Sequence, residues 1–211
     1  MDDFQLTAEK TVWQISFDFE HQAISEGFRL VAGVDEVGRG CLAGPVVAAA
    51  CILDVTKPVP AGLTDSKKLT AKKRDAIAAE LRENAVAYAI GVIEADEIDQ
   101  INILEATKKA MLAAIASLAP QPDHLLIDAL QLKQCPLPQK AIIKGDSISY
   151  SIAAASIIAK TYRDNLMAEF DAIYPQYGFA GHKGYGSAAH FKAIREHGPC
   201  PLHRRSFRGV L

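Results

Sequence analysis

Cysteine is scarce. The 211 residues contain four, Cys41, Cys51, Cys135 and Cys200, and none are paired at Cys-x-x-Cys spacing. That excludes a disulfide framework and leaves no thiolate cluster for zinc; reduced, mostly buried thiols are the expectation. His182, His190, His197 and His203 have no helical i, i+4 pairing, so a two-histidine zinc helix is missing as well. Long apolar runs are also absent. The longest, Pro45 to Leu53, is far too short to cross a bilayer, and the acidic start Met1-Asp2-Asp3-Phe4 does not read as a secretory leader. A cytoplasmic protein without membrane contact is expected. No segment fits the Gly-x4-Gly-Lys-Ser/Thr phosphate loop, and there is no internal repeat or low-complexity tract.

Net charge is small, at −2, and gives no sign of a polyanionic partner. Its distribution is uneven. From His182 onward there are six Lys/Arg (Lys183, Lys192, Arg195, Arg204, Arg205, Arg208) and one acid, Glu196. A local patch matters more than the total for phosphate contact, although a solvated surface would look the same.

The composition is that of an ordinary globular chain, 49% hydrophobic and 23% charged. The pattern along it predicts a mixed α/β sheet with helices on both faces. Residues 1–28 are polar and helix-prone, an N-terminal extension. Strands are expected at Leu30–Asp35, Pro45–Leu53, Val86–Ile93, His124–Asp128 and Lys140–Lys144. The first two form an antiparallel hairpin with a wide loop. Helices are expected at Ala71–Asn84 with Thr70 as N-cap, over Ala95–Leu118 in two pieces, at Ser149–Tyr174 and at Ser187–His197. Tyr177 to Gly186 reads as a loop, and a Pro-rich basic tail closes the chain. The division is extension 1–28, core 29–174 and a C-terminal region 175–211 packed on the core.

Four acids interrupt this pattern. Asp35 and Glu36 follow Leu30-Val31-Ala32-Gly33-Val34, Asp128 follows Leu125-Leu126-Ile127, and Asp146 follows Ala141-Ile142-Ile143-Lys144-Gly145. Burying a carboxylate is costly unless it is paired or metal-bound. Any one of these taken alone reads better as a cap or turn former, and Asp146 could cap the long helix that begins at Ser149. Together, three strand ends delivering carboxylates point to a site for a hard cation such as Mg²⁺. Neighbours on a strand point to opposite faces, so Asp35 and Glu36 share a site only if the strand ends or bends there. Gly38 and Gly40 make a bend cheap. Gly38-Arg39-Gly40 is a turn whose amides could cradle a phosphate, and Asp65-Ser66-Lys67-Lys68-Leu69 is a polar loop before a helix. Lys144 stands beside Asp146, and Tyr185 between Gly184 and Gly186 suits a ring offered to a ligand.

Taken in order, these segments resemble the bacterial ribonuclease HII family over residues 29–208. The resemblance rests on Ala32-Gly33-Val34-Asp35-Glu36-Val37-Gly38-Arg39-Gly40, Asp65-Ser66-Lys67-Lys68-Leu69, Ile127-Asp128-Ala129-Leu130, Lys144-Gly145-Asp146, Ile152 to Lys160, His182-Lys183-Gly184-Tyr185-Gly186 and His203-Arg204-Arg205-Ser206-Phe207. It implies an RNase H-like five-stranded fold and an endonuclease cutting RNA/DNA hybrids and ribonucleotides embedded in duplex DNA. It implies Asp35, Glu36, Asp128 and Asp146 as ligands of two Mg²⁺ or Mn²⁺ ions. Gly38, Arg39 and Gly40 would read the ribose 2′-hydroxyl, and Tyr185 would stack on the next sugar. Ser66, Lys67, Lys144, Lys183, Arg204 and Arg205 would complete the substrate contacts of a monomer. Cys41 stands where many relatives of that family have proline, which would loosen the reading turn slightly. Rival readings are the related ribonuclease HIII, another nuclease on the same fold, and a non-catalytic nucleic-acid-binding module.

Overall fold

The computed structural model describes residues 14–211. Helix α1 (Asp18–Ser25) leads into β1 (Val31–Val37) and β2 (Val46–Ile52). Then come α2 (Ala71–Asn84), β3 (Ala87–Ile93), α3 (Ala95–Ile101) and α4 (Ile103–Ala116). Next are β4 (His124–Asp128), β5 (Gln139–Ile142), α5 (Tyr150–Ile173), α6 (Phe179–His182) and α7 (Ala188–His197). The five strands form one sheet in the order β3-β2-β1-β4-β5. β1–β2 and β2–β3 are antiparallel, and β1–β4 and β4–β5 parallel, as the expected mixed sheet requires. No helix among the described residues is long and apolar enough to cross a membrane.

β2 lies inside the sheet and every one of its residues is buried. Alternation sends Val46, Ala48, Ala50 and Ile52 to the face covered by α4. Val47, Ala49 and Cys51 go to the face covered by α2 and α5. Two glycines set the helix–sheet distance. A Cβ on Gly33 would stand 2.0 Å from the Ser151 carbonyl carbon of α5, and one on Gly91 2.0 Å from the Ala110 oxygen of α4. The long helix therefore lies directly on β1, which carries two of the four acids.

Polar side chains cap the helix N-termini, Thr70 among them as the sequence predicts. Thr70 accepts from Lys73 N at α2, and Ser187 from His190 N at α7. The helical stretch after Ala95 breaks at Asn102, whose φ of 67° lies in the left-handed region and whose side chain caps α4. Asp146 does not cap α5. That place belongs to Ser149, which accepts from Ile152 N, while Asp146 lies in a single 3₁₀ turn, Gly145–Ser147. The stretch 177–186 is not all loop, because Phe179–His182 forms a helical turn packed under α5. Residues 1–13 of the expected N-terminal extension lie outside the described residues. The rest includes α1, whose buried Glu20 accepts from Ser149 Oγ at 2.8 Å and Ser151 N at 2.9 Å.

Candidate active site

β1 does not end at Asp35. It runs to Val37 against β2, with Glu36 opposite Ala48. On its other side, pairing with β4 stops at Val34 opposite Ile127. The edge of β1 beyond Val34 is thus open where β4 ends in Asp128, so the strand presents Asp35 and Glu36 beside Asp128 without itself ending. After β5, Lys144 takes a left-handed φ of 59° and turns the chain back into Gly145-Asp146. Gly145 N donates to Asp128 Oδ1 at 2.8 Å, which joins the third and fourth acids.

The four carboxylates are crowded and short of water. Asp35 and Asp146 are buried, and Glu36 and Asp128 are half-buried. Burial, then the charges of Glu36 and Asp128, hold Asp35 well above the usual carboxylate range, against hydrogen bonds from Ser156 and from Glu36 N. Burial also raises Glu36, where Arg39 offsets part of the effect and Asp128 adds to it. Burial raises Asp128 too, with Asp146 adding and the Gly145 amide opposing. Like charges held together out of water call for a cation. Lys67 Nζ meets Asp146 Oδ2 at 3.2 Å, and Arg39 meets Glu36 at 3.6 Å. Burial draws Lys67 down, but Asp146, Asp35 and Asp65 outweigh it and keep its ammonium above the ordinary value.

Among the described residues, no group of three or more His, Cys, Asp or Glu side chains is preassembled as a metal cage. The donor set nonetheless fits a hard cation completed by substrate phosphate. All four donors are carboxylate oxygens, and three are destabilised by burial and mutual repulsion that a cation relieves.

Around this centre stand the other expected residues. Gly38 is buried with φ +94°, and a Cβ there would meet Arg163 Nε at 2.3 Å. Gly40 is exposed with nothing within 4 Å of a Cβ position, leaving room for a ligand. Arg39 is exposed beside Glu36. Ser66 is buried, its Oγ 3.0 Å from Ser156 Oγ. Lys144 is exposed, and Lys183 is half-buried with Nζ donating to Asp164 O at 3.2 Å. Tyr185 is 44% exposed, and its loop joins the Gly38–Gly40 segment through Leu42 N donating to Gly184 O at 2.8 Å. Cys41 is buried, and its N donates to Gly38 O at 3.3 Å, so it closes the turn. Arg205 is exposed.

Arg204 departs from its expected place. It is fully buried and its guanidinium donates to Gly44 O and Arg39 O, so it does not face a phosphate. The expectation followed from a basic tail, but neighbouring residues there point opposite ways, Arg204 inward and Arg205 outward. Three contributors were not assigned from sequence. Ser156 bridges Ser66 and Asp35 from α5. Arg74 holds the Ser66 loop through Ser66 O and Leu69 O and is anchored on Asp164 at 2.9 Å. Arg163 underlies Gly38. A serine inside the apolar run Ile152–Ala159 was the available signal for Ser156.

The family model described as Ribonuclease HII matches residues 32–210. The chain belongs to the ribonuclease HII family. It is 56% identical over 211 residues to the ribonuclease HII of Chlamydia abortus, covering 100% of this chain and 96% of that one. Among solved structures, the ribonuclease H2 of Pyrococcus horikoshii OT3 matches with a TM-score of 0.72 at 26% identity, over 86% of this chain and 95% of that one. Bst-RNase HIII, solved in complex with Mn²⁺, matches with a TM-score of 0.68 at 21% identity, over 86% of this chain and 68% of that one. The last likeness is one of fold. As a member of that family it is a metal-dependent RNase H endonuclease, a hydrolase.

Proposed function

We propose that this protein cuts on the 5′ side of single ribonucleotides embedded in duplex DNA, and within the RNA strand of RNA/DNA hybrids. The products carry 3′-hydroxyl and 5′-phosphate ends, and the role is ribonucleotide removal during DNA repair and replication. The observation that carries the proposal is the convergence of Asp35, Glu36, Asp128 and Asp146 beside the Gly38–Gly40 turn, which Arg39 ties to Glu36.

Asp35, Glu36, Asp128 and Asp146 hold Mg²⁺ or Mn²⁺. When bound, the metal supplies Lewis acidity for water activation and for the leaving 3′-oxygen. Ser156 and the Glu36 amide fix Asp35, and Gly145 N fixes Asp128, so these carboxylates stay in place when substrate arrives. Lys67, exposed beside Asp146, and Lys144, Lys183 and Arg205 meet backbone phosphates; Ser66 holds the Lys67 loop in place. Phosphate contacts position the duplex but do not distinguish ribose from deoxyribose. That distinction falls to the open space at Gly40, where backbone groups of residues 38–40 meet the 2′-hydroxyl, donor and acceptor at once. The half-exposed Tyr185 ring presses on the following deoxyribose, favouring RNA-to-DNA junctions over uniform hybrid. The protein works in the cytoplasm as a monomer.

Asp35→Asn and Asp128→Asn test the site. Each should lower cleavage by about a thousandfold or more while the melting temperature holds or rises, because a repelling charge is gone. Duplex binding should persist. Near-normal cleavage by either variant with Mg²⁺ would remove that residue from the site.

A further inference from the structure

Arg163 and Arg204 head the largest fully buried side chains among the described residues. Neither takes part in an ion pair with a carboxylate among those residues. Every guanidinium hydrogen bond they make goes to a backbone carbonyl. Arg163 donates from Nε to Pro45 O at 2.9 Å, from Nη1 to Lys183 O at 2.8 Å and from Nη2 to Ala43 O at 3.0 Å. Arg204 donates from Nε and Nη2 to Gly44 O at 3.0 and 2.8 Å, and from Nη1 to Arg39 O at 2.9 Å. The two forks thus take the consecutive carbonyls of 43, 44 and 45, and each sends one further arm outward.

Those arms end in the two segments of interest. Arg39 O lies in the Gly38–Gly40 turn and Lys183 O in the Tyr185 loop. Just past the turn, Leu42 N donates to Gly184 O of the loop and Leu42 O accepts from Arg204 N, both at 2.8 Å. Phe207 stacks on the Arg204 guanidinium at 5.1 Å. Burial draws Arg204 down to about 10 from its ordinary value. Apolar side chains would fill such space at lower cost, so a buried cation without a counter-ion points to a role in specifying one arrangement. A guanidinium on a carbonyl also polarises that peptide group, strengthening its N–H as a donor. The peptides concerned carry the N–H of Gly40 and of Gly184.

We propose that Arg163 and Arg204 are positioning residues that lock the Gly38–Gly40 turn and the Lys183–Tyr185 loop into one rigid ribonucleotide-reading unit, and so set the preference for RNA-to-DNA junctions over uniform hybrid. This rests on the reading of Tyr185 and the glycine turn given above. Lysine in either place keeps the charge but holds fewer carbonyls, without the planar fork.

The test compares Arg163→Lys, Arg204→Lys and Tyr185→Ala. Each is assayed with Mg²⁺ on a duplex holding one ribonucleotide and on a uniform RNA/DNA hybrid, with melting temperatures measured alongside. Each Lys variant should lower the junction-to-hybrid ratio of kcat/KM by about tenfold, chiefly through kcat. Equal losses on both substrates that track the melting temperature would overturn the proposal and leave the arginines structural. A Tyr185→Ala ratio equal to the parent's would overturn the underlying reading. A lowered ratio in that variant alone would overturn only the role of the arginines. Hydrogen exchange on the unaltered protein gives a second measurement that survives a folding failure. The amides of Cys41, Leu42, Gly44, Tyr185 and Arg204 should open as one cooperative unit, with opening constants within about twofold of one another. Constants spread over more than about tenfold would show that the two segments move independently and refute the lock.

Discussion

Gly33→Ala puts a methyl group where the backbone of α5 already lies. The new Cβ would stand 2.0 Å from Ser151 C and 2.3 Å from Ile152 N, where ordinary contact begins near 3.4 Å. The shortfall is about 1.4 Å, and the obstacle is main chain, so no rotamer change relieves it. Either α5 backs away from β1 or β1 bends. Overpacking of this kind costs about 1–3 kcal/mol, and more where backbone must move, against a total stability of about 5–15 kcal/mol. The upper end applies because α5 buries Ile152 to Ala159 along its first turns. The damage is also local to function, because Asp35 sits two residues on and draws a hydrogen bond from Ser156 of the same helix. Gly91→Ala is the control. Its Cβ would stand 2.0 Å from Ala110 O of α4 on the opposite face, on a strand separated by β2 from the one that carries Asp35 and Glu36. Urea melts of both variants should show losses of about 3 kcal/mol or more. Cleavage per folded molecule should drop sharply for Gly33→Ala and little for Gly91→Ala. A Gly33→Ala protein within about 1 kcal/mol of the parent, or equal activity losses in both, would refute the close-packing argument.

Gly40→Ala should leave stability within about 0.5 kcal/mol, since nothing lies within 4 Å of the new methyl, yet depress cleavage at an embedded ribonucleotide; urea melts and a cleavage assay on the same sample check both halves. Tyr185→Phe should cleave junctions nearly as well as the parent because stacking needs the ring, and a Phe variant as poor as Ala would refute stacking. Arg205→Ala should lower the slope of log affinity against log salt by about one, and an unchanged slope would make the exposed Arg205 a solvated charge. Burial and neighbouring imidazoles push His203 down to about 4 from 6.5, and His190 is lowered as well. Between these values the unfolded chain binds protons that the folded chain does not, so this contribution to stability is lost as pH falls from about 6.5 toward 4. The raised acids act in the opposite sense, so the reading is the difference in melting temperature between parent and His203→Gln. That difference should shrink on acidification, and constancy would contradict it.

Much of the fold could be read from residues alone. Short apolar runs between polar or Gly- and Pro-containing stretches located all five strands to within a few residues, and Thr70 and Ser187 marked helix starts correctly. The convergence of four acids was legible because a carboxylate at the end of an apolar strand is costly to bury unless a cation or a hydrogen-bond partner meets it. Less legible was how Asp35 and Glu36 reach one place. That depends on β4 ending while β1 continues, a property of pairing rather than of either strand's residues. Arg204 shows the same limit. A basic tail gives charge but not direction, and only the packed structure shows the Gly44 and Arg39 carbonyls that receive it.

The most direct test is to map the cut. A duplex DNA with one internal ribonucleotide is incubated with the protein and Mg²⁺ or Mn²⁺, and the ends are identified. The expected result is a single break immediately 5′ of the ribonucleotide, a 3′-hydroxyl on one fragment and a 5′-phosphate on the other, and no break in all-DNA duplex. A break on the 3′ side, a 2′,3′-cyclic phosphate, or metal-independent cleavage retained by Asp35→Asn would contradict it.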